Sequence, residues 1–505
     1  MMLSTVSRLF NSDAIKTDVK INAVSTDTRS IKKNDLFIAL PGSQYHGLSF
    51  LSQVVEAGAA CIVFDINEQQ RFAEQLECYR SQIKQLAVNN VREVAGIIIA
   101  HYFQSVSQSM QLIAITGTDG KTSVSRFIAQ ALSAVNTKSS EKVAVLGTTG
   151  NGIWGDLKTS THTTADVLSM HQMIFSLAQQ SAKTVVMEVS SHGLDQGRIN
   201  GVLFDAAVFT NLSHDHLDYH KTLDAYAEVK RKLFFMPGLN AAVINLDDNY
   251  GRTLAKECKD RLSVWGYSTQ SDFDSWQDYT NYFVQTSSIK AVAHGFEVTI
   301  KTSKGEGELF ISLLGTFNVS NVLAVLSVLL INDWSFESAL KKLAGISPVP
   351  GRMEVIAVNN AVTVVVDFAH TPNALEEACK AVKAHFDGQL WCVFGCGGDR
   401  DRSKRPLMAR VAEDYADKVV VTSDNPRTEN PQKIINEVIA GFDNDSKVKV
   451  ILDRRDAIAY AIEHAQINDV VLLAGKGHES VQLVAGKSYD FDDRLVAREC
   501  LAVMQ

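Results

Sequence analysis

Short apolar runs bounded by Gly, Asp, Asn and Ser recur along the chain, and amphipathic stretches separate many of them. "LIAIT" (112–116), "KVAVLGT" (142–148), "TVVMEVS" (184–190), "DAAVFTNL" (205–212) and "AAVINLD" (241–247) read as buried strands. Helical patterns lie at "VREVAGIIIAHYFQS" (91–105) and "TLDAYAEVKRKLFF" (222–235). This βα alternation predicts a largely parallel sheet. A second series starts near 361 with "AVTVVVDFA", then "LWCVFG" (390–395), "KVVVTSD", "KVKVILD" (447–453) and "DVVLLAGKG" (469–477). The helix-like "PNALEEACKAVKAHF" (372–386) falls inside that series. Between the two series, "GISPVPGRMEVI" (345–356) carries two prolines and two glycines and predicts a hinge. The expectation is an α/β protein of three domains: a small mixed one over 1–90, a central P-loop-like one with a mostly parallel sheet over 91–347, and a Rossmann-like one over 348–505.

Length agrees, since 505 residues exceed one core and domains run to roughly 100–200 residues. The net charge of −8 and the absence of a basic block argue against nucleic acid or an anionic membrane as partner. The longest apolar run, "LAVLSVLLI" (323–331), is half of what a bilayer span needs, and the N-terminus carries no signal-peptide pattern. Seven scattered cysteines without a CxxC pair predict free thiols, not a disulfide framework or a zinc site. A cytoplasmic protein is expected.

"LIAITGTDGKTSVSRFI" (112–128) is strand, Gly-rich turn and helix. It holds a shortened phosphate loop, with Gly117, Gly120, Lys121 and Thr122 in the spacing GxxGKT. Glycines there admit backbone N–H groups to phosphate oxygens, and a helix N-terminus adds a favourable dipole. Lys121 is placed to neutralise phosphates and Thr122 to reach magnesium. "VVMEVSSHGLDQGRI" (185–199) puts Glu188 at the end of a buried strand, where a carboxylate needs a cation. "FTNLSHDHLDYHKT" (209–222) gathers His214, Asp215, His216, Asp218 and His220 on one loop. Beside a phosphate loop, a magnesium and phosphate site using one histidine fits better than zinc. His214 and His220 read as surface or core-satisfied residues. Tyr226 and Lys230 share a helix face, and Lys230 alone reads as a snorkelling lysine.

"SDNPRTENP" (423–431) follows a predicted buried strand. Its prolines stiffen a polar loop at the place where α/β sheets grip ligands. Arg427 is its candidate ligand-binding group, and a guanidinium fork matches a carboxylate.

"TGTDGKTS", "MEVSSHGLDQGR", "TNLSHDHLDYH" with "YAEVK", "GTFNVSN", "GRMEVI", "VDFAHTPNAL", "FGCGGDRDRSKRPLM", "DNPRTENP" and "AGKGHE" occur in this order along the chain. Together they resemble the Mur ligases, and most of all the MurE type. The resemblance implies an N-terminal domain for the UDP end, a central ATPase-like domain and a C-terminal amino-acid domain. It implies that meso-diaminopimelate is joined to the D-Glu side-chain carboxylate of UDP-MurNAc-L-Ala-D-Glu, through an acyl phosphate, with ATP and Mg²⁺, by a monomer in the bacterial cytoplasm.

Residue by residue, the resemblance gives Lys121, Glu188, His216 and Lys230 catalytic positions, and Thr122, Glu188, His216 and Lys230 metal positions. Lys230 matches the lysine that carries a CO₂-derived carbamate (N6-carboxylysine) in the family. ATP falls to Gly117, Thr118, Asp119, Gly120, Lys121, Thr122, Ser123, Asn318, Asn321, Arg352, Asp367 and His370. The UDP substrate falls to Thr26, Thr28, Ser43, Gln44, Tyr45, His162, Thr163, Thr164, Ser190, Gln196 and Arg198. Diaminopimelate falls to Arg400, Asp424, Asn425, Pro426, Arg427, Gly475 and Glu479. The chain departs from the family pattern in "THTTAD", with His162 and Ala165 for Asn and Pro, and at Asp119 and Asn373. An acid at 119 should repel triphosphate unless it points away or meets a cation. The alternatives are a ligase for L-lysine or another amine, a folylpolyglutamate synthase-like ligase, and a catalytically inert nucleotide switch. "DNPR" with "GGDRD" argues against the first two, and Lys121, Glu188, His216 and Lys230 together argue against the third.

Overall fold

The structure, a computed structural model, describes residues 1–10, 19–42, 45–133, 142–160, 163–271, 275–292, 295–356, 362–444 and 447–503. The chain has a three-domain α/β fold with an N-terminal parallel sheet, a mixed central sheet and a mostly parallel C-terminal sheet. Tertiary contacts gather it into two compact units: residues 1–113, 141–205 and 236–239 in one, residues 114–140, 206–235 and 240–505 in the other.

In the first unit, Val24–Ser25, Leu36–Ile38, Cys61–Asp65 and Lys84–Val88 form a four-stranded parallel sheet. The helix Val91–Tyr102 buries Val91, Val94, Ala95, Ile98 and Ile99, one face at helical spacing, in the same core as that sheet. Strand Ala182–Glu188 pairs in parallel with Lys142–Gly147, which turns back through Gly150–Ile153 and Asp156–Lys158 as antiparallel neighbours. Glu188 therefore ends a strand that is buried at nearly every position.

In the second unit, Ala206–Phe209, Ala241–Asn245, Ser263–Ser268 and Tyr282–Val292 are parallel in that order, then Gly295–Thr302 and Gly305–Ile311 continue antiparallel. The apolar run 323–331 lies in the helix Thr316–Ile331, which is buried almost all round. No helix among the described residues is long and apolar enough to cross a membrane. The C-terminal sheet has the order Glu354–Ile356, Thr363–Asp367, Val470–Ala474, Leu390–Phe394, Lys418–Val421, Val448–Val450, and only its first strand is antiparallel. Its central strands are continuous runs of buried Val, Leu and Phe, as expected where helices cover both faces. Their carboxyl ends deliver Asp367, Gly395, the 423–431 loop and Gly475 to one edge of the sheet.

A fully buried ion pair ties two of those ends together. Arg454 donates to Asp493 Oδ1 (2.8 Å) and Oδ2 (2.6 Å), and also to the carbonyls of Ala474 (3.0 Å) and Ser423 (3.3 Å). Arg454→Met would strand the Asp493 carboxylate in the core. A loss of about 3–5 kcal/mol in urea unfolding is expected, and a loss below about 1 kcal/mol would contradict this role.

Candidate active site

The phosphate loop joins strand Gln111–Thr116 to helix Lys121–Ser133. Gly117 has φ 147° and a Cβ there would fall 1.8 Å from Thr210 Oγ1, so only glycine fits. Lys121 Nζ folds back onto the carbonyls of Gly117 (2.9 Å) and Thr118 (2.7 Å). The Asp119 amide donates to Asn211 Oδ1 (2.9 Å), and its carbonyl accepts from Thr210 Oγ1 (2.6 Å). The Asp119 carboxylate accepts from the Ser213 hydroxyl at 3.4 Å. Thr118, Thr122 and Ser123 are buried around the loop.

Lys230 does not snorkel. It is 1% exposed, its Nζ donates to the Gly117 carbonyl at 2.7 Å, and it lies 4.3 Å from the centre of the Tyr226 ring. Among the described residues no carboxylate forms an ion pair with it. Burial, and then the charge of Lys121, hold its pKa well below the ordinary lysine value, with Asp215 and Asp119 pulling the other way.

Asp215, which the sequence left without a role, is the centre of a buried charge cluster. Its Oδ2 lies 3.4 Å from His216 Nε2 and 4.0 Å from His370 Nε2, and its Oδ1 lies 3.8 Å from Lys404 Nζ. Burial pushes its carboxyl up, yet the charges of His216, His370 and Lys404 bring it to about 2. His214, read as a bystander, sits 3.3 Å from Asp401 Oδ2 and within reach of Ser403 Oγ. His220 is buried against the Tyr226 ring. The histidine loop and the "GGDRDRSK" segment thus meet through two acid–base contacts, a pairing with no signal in local sequence.

A cavity of about 260 Å³ opens beside the phosphate loop. Asp119, Gly120 and Ser123 line it on one side, Asn321 and Phe317 on another, and Arg352 and Asp367 on a third. Asn318 lies behind it, bonded to Leu314 O (2.8 Å) and accepting from Asn321 Nδ2 (3.0 Å). Burial raises the Asp367 pKa, Arg352 opposes this, and the Met353 amide donates to its Oδ2 at 2.8 Å. Arg352 covers the Phe368 ring, and His370 Nδ1 contacts the Phe368 carbonyl. Asn245, Asp247 and Thr269, also lining the cavity, were not read from the sequence. No group of three or more His, Cys, Asp or Glu side chains among the described residues is arranged to hold a metal. Magnesium, which takes few protein ligands beside phosphate and water, leaves Thr122 and His216 as candidates in this unit.

In the first unit, the two oxygens of Glu188 accept from the Thr148 amide (3.2 Å) and hydroxyl (3.0 Å), and that hydroxyl also meets Thr163 Oγ1 at 2.9 Å. Thr164 Oγ1 donates to the Glu188 carbonyl and is met by Ser190. Arg198 spans the Thr164 carbonyl (2.7 Å) and Gln196 Oε1 (2.6 Å). Thr163, Thr164, Ser190, Gln196 and Arg198 therefore form one connected polar patch. Thr26 and Thr28 follow strand Val24–Ser25, and Tyr45 is 67% exposed. Ser43, Gln44 and His162 lie outside the described residues.

At the C-terminal sheet edge, Arg427 adopts a left-handed φ of 52°. Its Nη1 donates to the carbonyls of Gly398 (2.9 Å) and Asn425 (3.3 Å). Burial, then the charge of Arg400, lowers its pKa. Asn425 Nδ2 donates to Glu479 Oε2 at 2.7 Å, and a Cβ on Gly475 would fall 2.6 Å from Asp424 Oδ2. Asp424 and Pro426 are buried, and Arg400 is exposed. Arg405, fully buried, locks the loop by bonding Glu429 (2.8 Å), Glu437 (2.6 Å) and the Gly397 carbonyl (3.1 Å).

A phosphate loop with a nucleotide-sized cavity, a buried lysine beside it and an arginine-bearing loop at the C-terminal sheet edge define a nucleotide-binding enzyme of the three-domain ligase class. Family models match the chain as the Mur ligase middle domain over residues 115–329, the Mur ligase glutamate ligase domain over 351–477, and the Mur ligase family catalytic domain over 20–103. The chain belongs to the Mur ligase family. It is similar to a UDP-N-acetylmuramoyl-L-alanyl-D-glutamate–2,6-diaminopimelate ligase of Coxiella burnetii, 43% identical over 488 residues that cover 97% of each chain. The ligase of the same name from Haemophilus influenzae is 38% identical, covering 99% of this chain and 100% of its own. A solved structure of a ligase of that name superimposes with a TM-score of 0.69 at 34% identity, covering 100% of this chain and 99% of the other.

The unmodified Lys230 ammonium has a consequence for stability. Its folded pKa lies below the unfolded value of about 10.4, so between the two the unfolded chain binds the extra proton. Stability of the metal-free, CO₂-free protein should therefore rise as pH rises through that window. Lys230→Met should remove this slope and raise Tm at neutral pH. A thermal-unfolding series in which both proteins show the same slope would contradict the assignment of a strained, buried charge.

Proposed function

We infer that this chain is a MurE-type, ATP-dependent ligase that joins meso-diaminopimelate to the D-Glu side-chain carboxylate of UDP-MurNAc-L-Ala-D-Glu, giving ADP and phosphate for peptidoglycan synthesis. The observation that carries the choice of amino acid is the "DNPR" loop, where Arg427 and Asn425 present guanidinium and amide donors beside Glu479. Diaminopimelate differs from lysine by a terminal carboxylate, which such donors recognise. The domains are assigned as 1–90 for the UDP end, 91–347 for ATP and 348–505 for the amino acid.

The substrate carboxylate attacks the γ-phosphorus of ATP, the bond to ADP breaks, and an acyl phosphate forms. The diaminopimelate amine then attacks the acyl carbon and phosphate leaves. Such chemistry rests on placement and on neutralising charge as it develops. Lys121 and the amides of residues 120–123 hold the phosphates, and Lys121 leaves its loop carbonyls to do so. The cavity lined by Asn321, Arg352 and Asp367 takes the nucleoside, with Asn318 orienting Asn321 and His370 near the Asp215 cluster. Magnesium would supply charge neutralisation on the phosphates, and Thr122, Glu188, His216 and carboxylated Lys230 are its candidate ligands. Burial and the charge of Lys121 shift Lys230 toward the neutral amine, the form that adds to CO₂ and releases a proton to leave a carbamate anion. Thr163, Thr164, Ser190, Gln196 and Arg198 take the sugar-peptide, with Thr26, Thr28 and Tyr45 toward the uridine end. Arg400, Arg427, Asp424, Asn425, Pro426, Gly475 and Glu479 take diaminopimelate. A place in the bacterial cytoplasm accords with seven free cysteines, and the chain is taken to act as a monomer.

Phosphate release from ATP with UDP-MurNAc-L-Ala-D-Glu, Mg²⁺ and bicarbonate should require meso-diaminopimelate, and L-lysine should be rejected by about 10⁴-fold. Lys121→Ala and Lys230→Ala should each lower release by about 10²–10³-fold or more, with Lys230→Ala partly restored by a short-chain carboxylic acid. Equal rates with lysine would overturn the amino-acid assignment, and near-normal rates in both variants would overturn the active-site assignment.

A further inference from the structure

Lys476 has no exposed surface. An ammonium has three N–H donors. Here they go to the Val481 carbonyl (2.7 Å), Glu479 Oε2 (3.0 Å) and Asn425 Oδ1 (3.3 Å). With every donor used inside the protein, Lys476 has none left for a ligand. It acts on its neighbours.

Two effects follow. First, Asn425 Oδ1 accepts from Lys476 and from the Leu483 amide (2.9 Å). Turning the amide over would set its NH₂ against two donors, so its orientation is fixed and Asn425 can offer a ligand only N–H. Second, Glu479 is already paired with a buried cation, so its charge is largely spent before any substrate ammonium arrives.

Lys476 also anchors a hairpin, Val481–Val484 with Lys487–Asp490. That hairpin lies against the 423–431 loop through Arg427 N to Leu483 O (2.9 Å), Ala485 N to Arg427 O (2.7 Å) and Gln482 Nε2 to Asp424 O (2.7 Å). These bonds hold Arg427 in its left-handed φ, a conformation costly for a residue with a side chain.

Resting on the functional reading above, we propose that Lys476 is the positioning residue for amino-acid selection: with its hairpin it presets Asn425 and Arg427 as donors and neutralises Glu479, so that the site favours a substrate ending in a carboxylate over one ending in a lone ammonium. Removing the cation has a two-sided consequence. Asn425 Oδ1 keeps only the Leu483 amide, so its orientation loosens, and Glu479 loses its paired cation and becomes able to attract lysine.

The test is phosphate release by the full-length Lys476→Met variant, titrated separately with meso-diaminopimelate and L-lysine. The KM for diaminopimelate should rise on the order of 100-fold, the scale of a misplaced binding group. The KM for ATP should stay unchanged, kcat at saturating diaminopimelate should be largely kept, and discrimination against lysine should fall. An unchanged diaminopimelate KM with unchanged discrimination overturns the proposal. If the variant no longer binds ADP because it does not fold, Gln482→Ala decides. A raised diaminopimelate KM at unchanged Tm supports the hairpin's role, and an unchanged KM overturns it. Wild-type protein that releases no phosphate with diaminopimelate would overturn the functional reading itself, an outcome separate from either variant's.

Discussion

The Lys230 ammonium lies out of water, 2.7 Å from the Gly117 carbonyl and over the Tyr226 ring, without an ion-paired carboxylate among the described residues. Burying an ion costs several kcal/mol unless something compensates, and one carbonyl and a ring face compensate only in part. The surrounding loop is arranged in keeping with this. Lys121 bends to the same Gly117 carbonyl, and the Asp119 carboxylate accepts from Ser213. Such an arrangement is costly for an ammonium, and the carbamate proposed above would remove that cost.

The same economy of groups runs through the second unit. Asp215 gathers His216, His370 and Lys404, so the histidine loop and the "GGDRDRSK" segment share one buried carboxylate. Arg454 holds the carbonyls at the ends of strands Lys418–Val421 and Val470–Ala474, and Arg405 pins the 423–431 loop through Glu429. The loops at this sheet edge are thus held in place by buried ions, which gives a polar edge the precision of a packed core.

The central strands were legible because they are uninterrupted buried runs, and "LWCVF" and "VVLLA" leave little choice. The phosphate loop and the 423–431 loop were legible because glycine and proline constrain backbone directly. The antiparallel strands Gly150–Ile153 and Gly305–Ile311 were missed, since half-exposed residues and glycines give no apolar contrast. So was the hairpin at 481–490, one strand of which is wholly exposed. Helix Thr316–Ile331 showed only as an apolar run, because a helix buried on every side has no periodicity to read. Taken alone, Lys230 reads as a snorkelling lysine because its four-carbon stem suits that, and only tertiary packing shows it buried. Asp215 with Lys404, and His214 with Asp401, are partners distant in sequence that only the fold brings together.

The most direct test of this account is a ¹³C NMR spectrum of the protein equilibrated with ¹³C-labelled bicarbonate. A carbamate carbon should appear in the wild-type protein, vanish in Lys230→Met, and decline in step with phosphate release as CO₂ is removed. An enzyme that keeps full activity while showing no carbamate carbon would contradict the central claim that buried Lys230 serves as an anion.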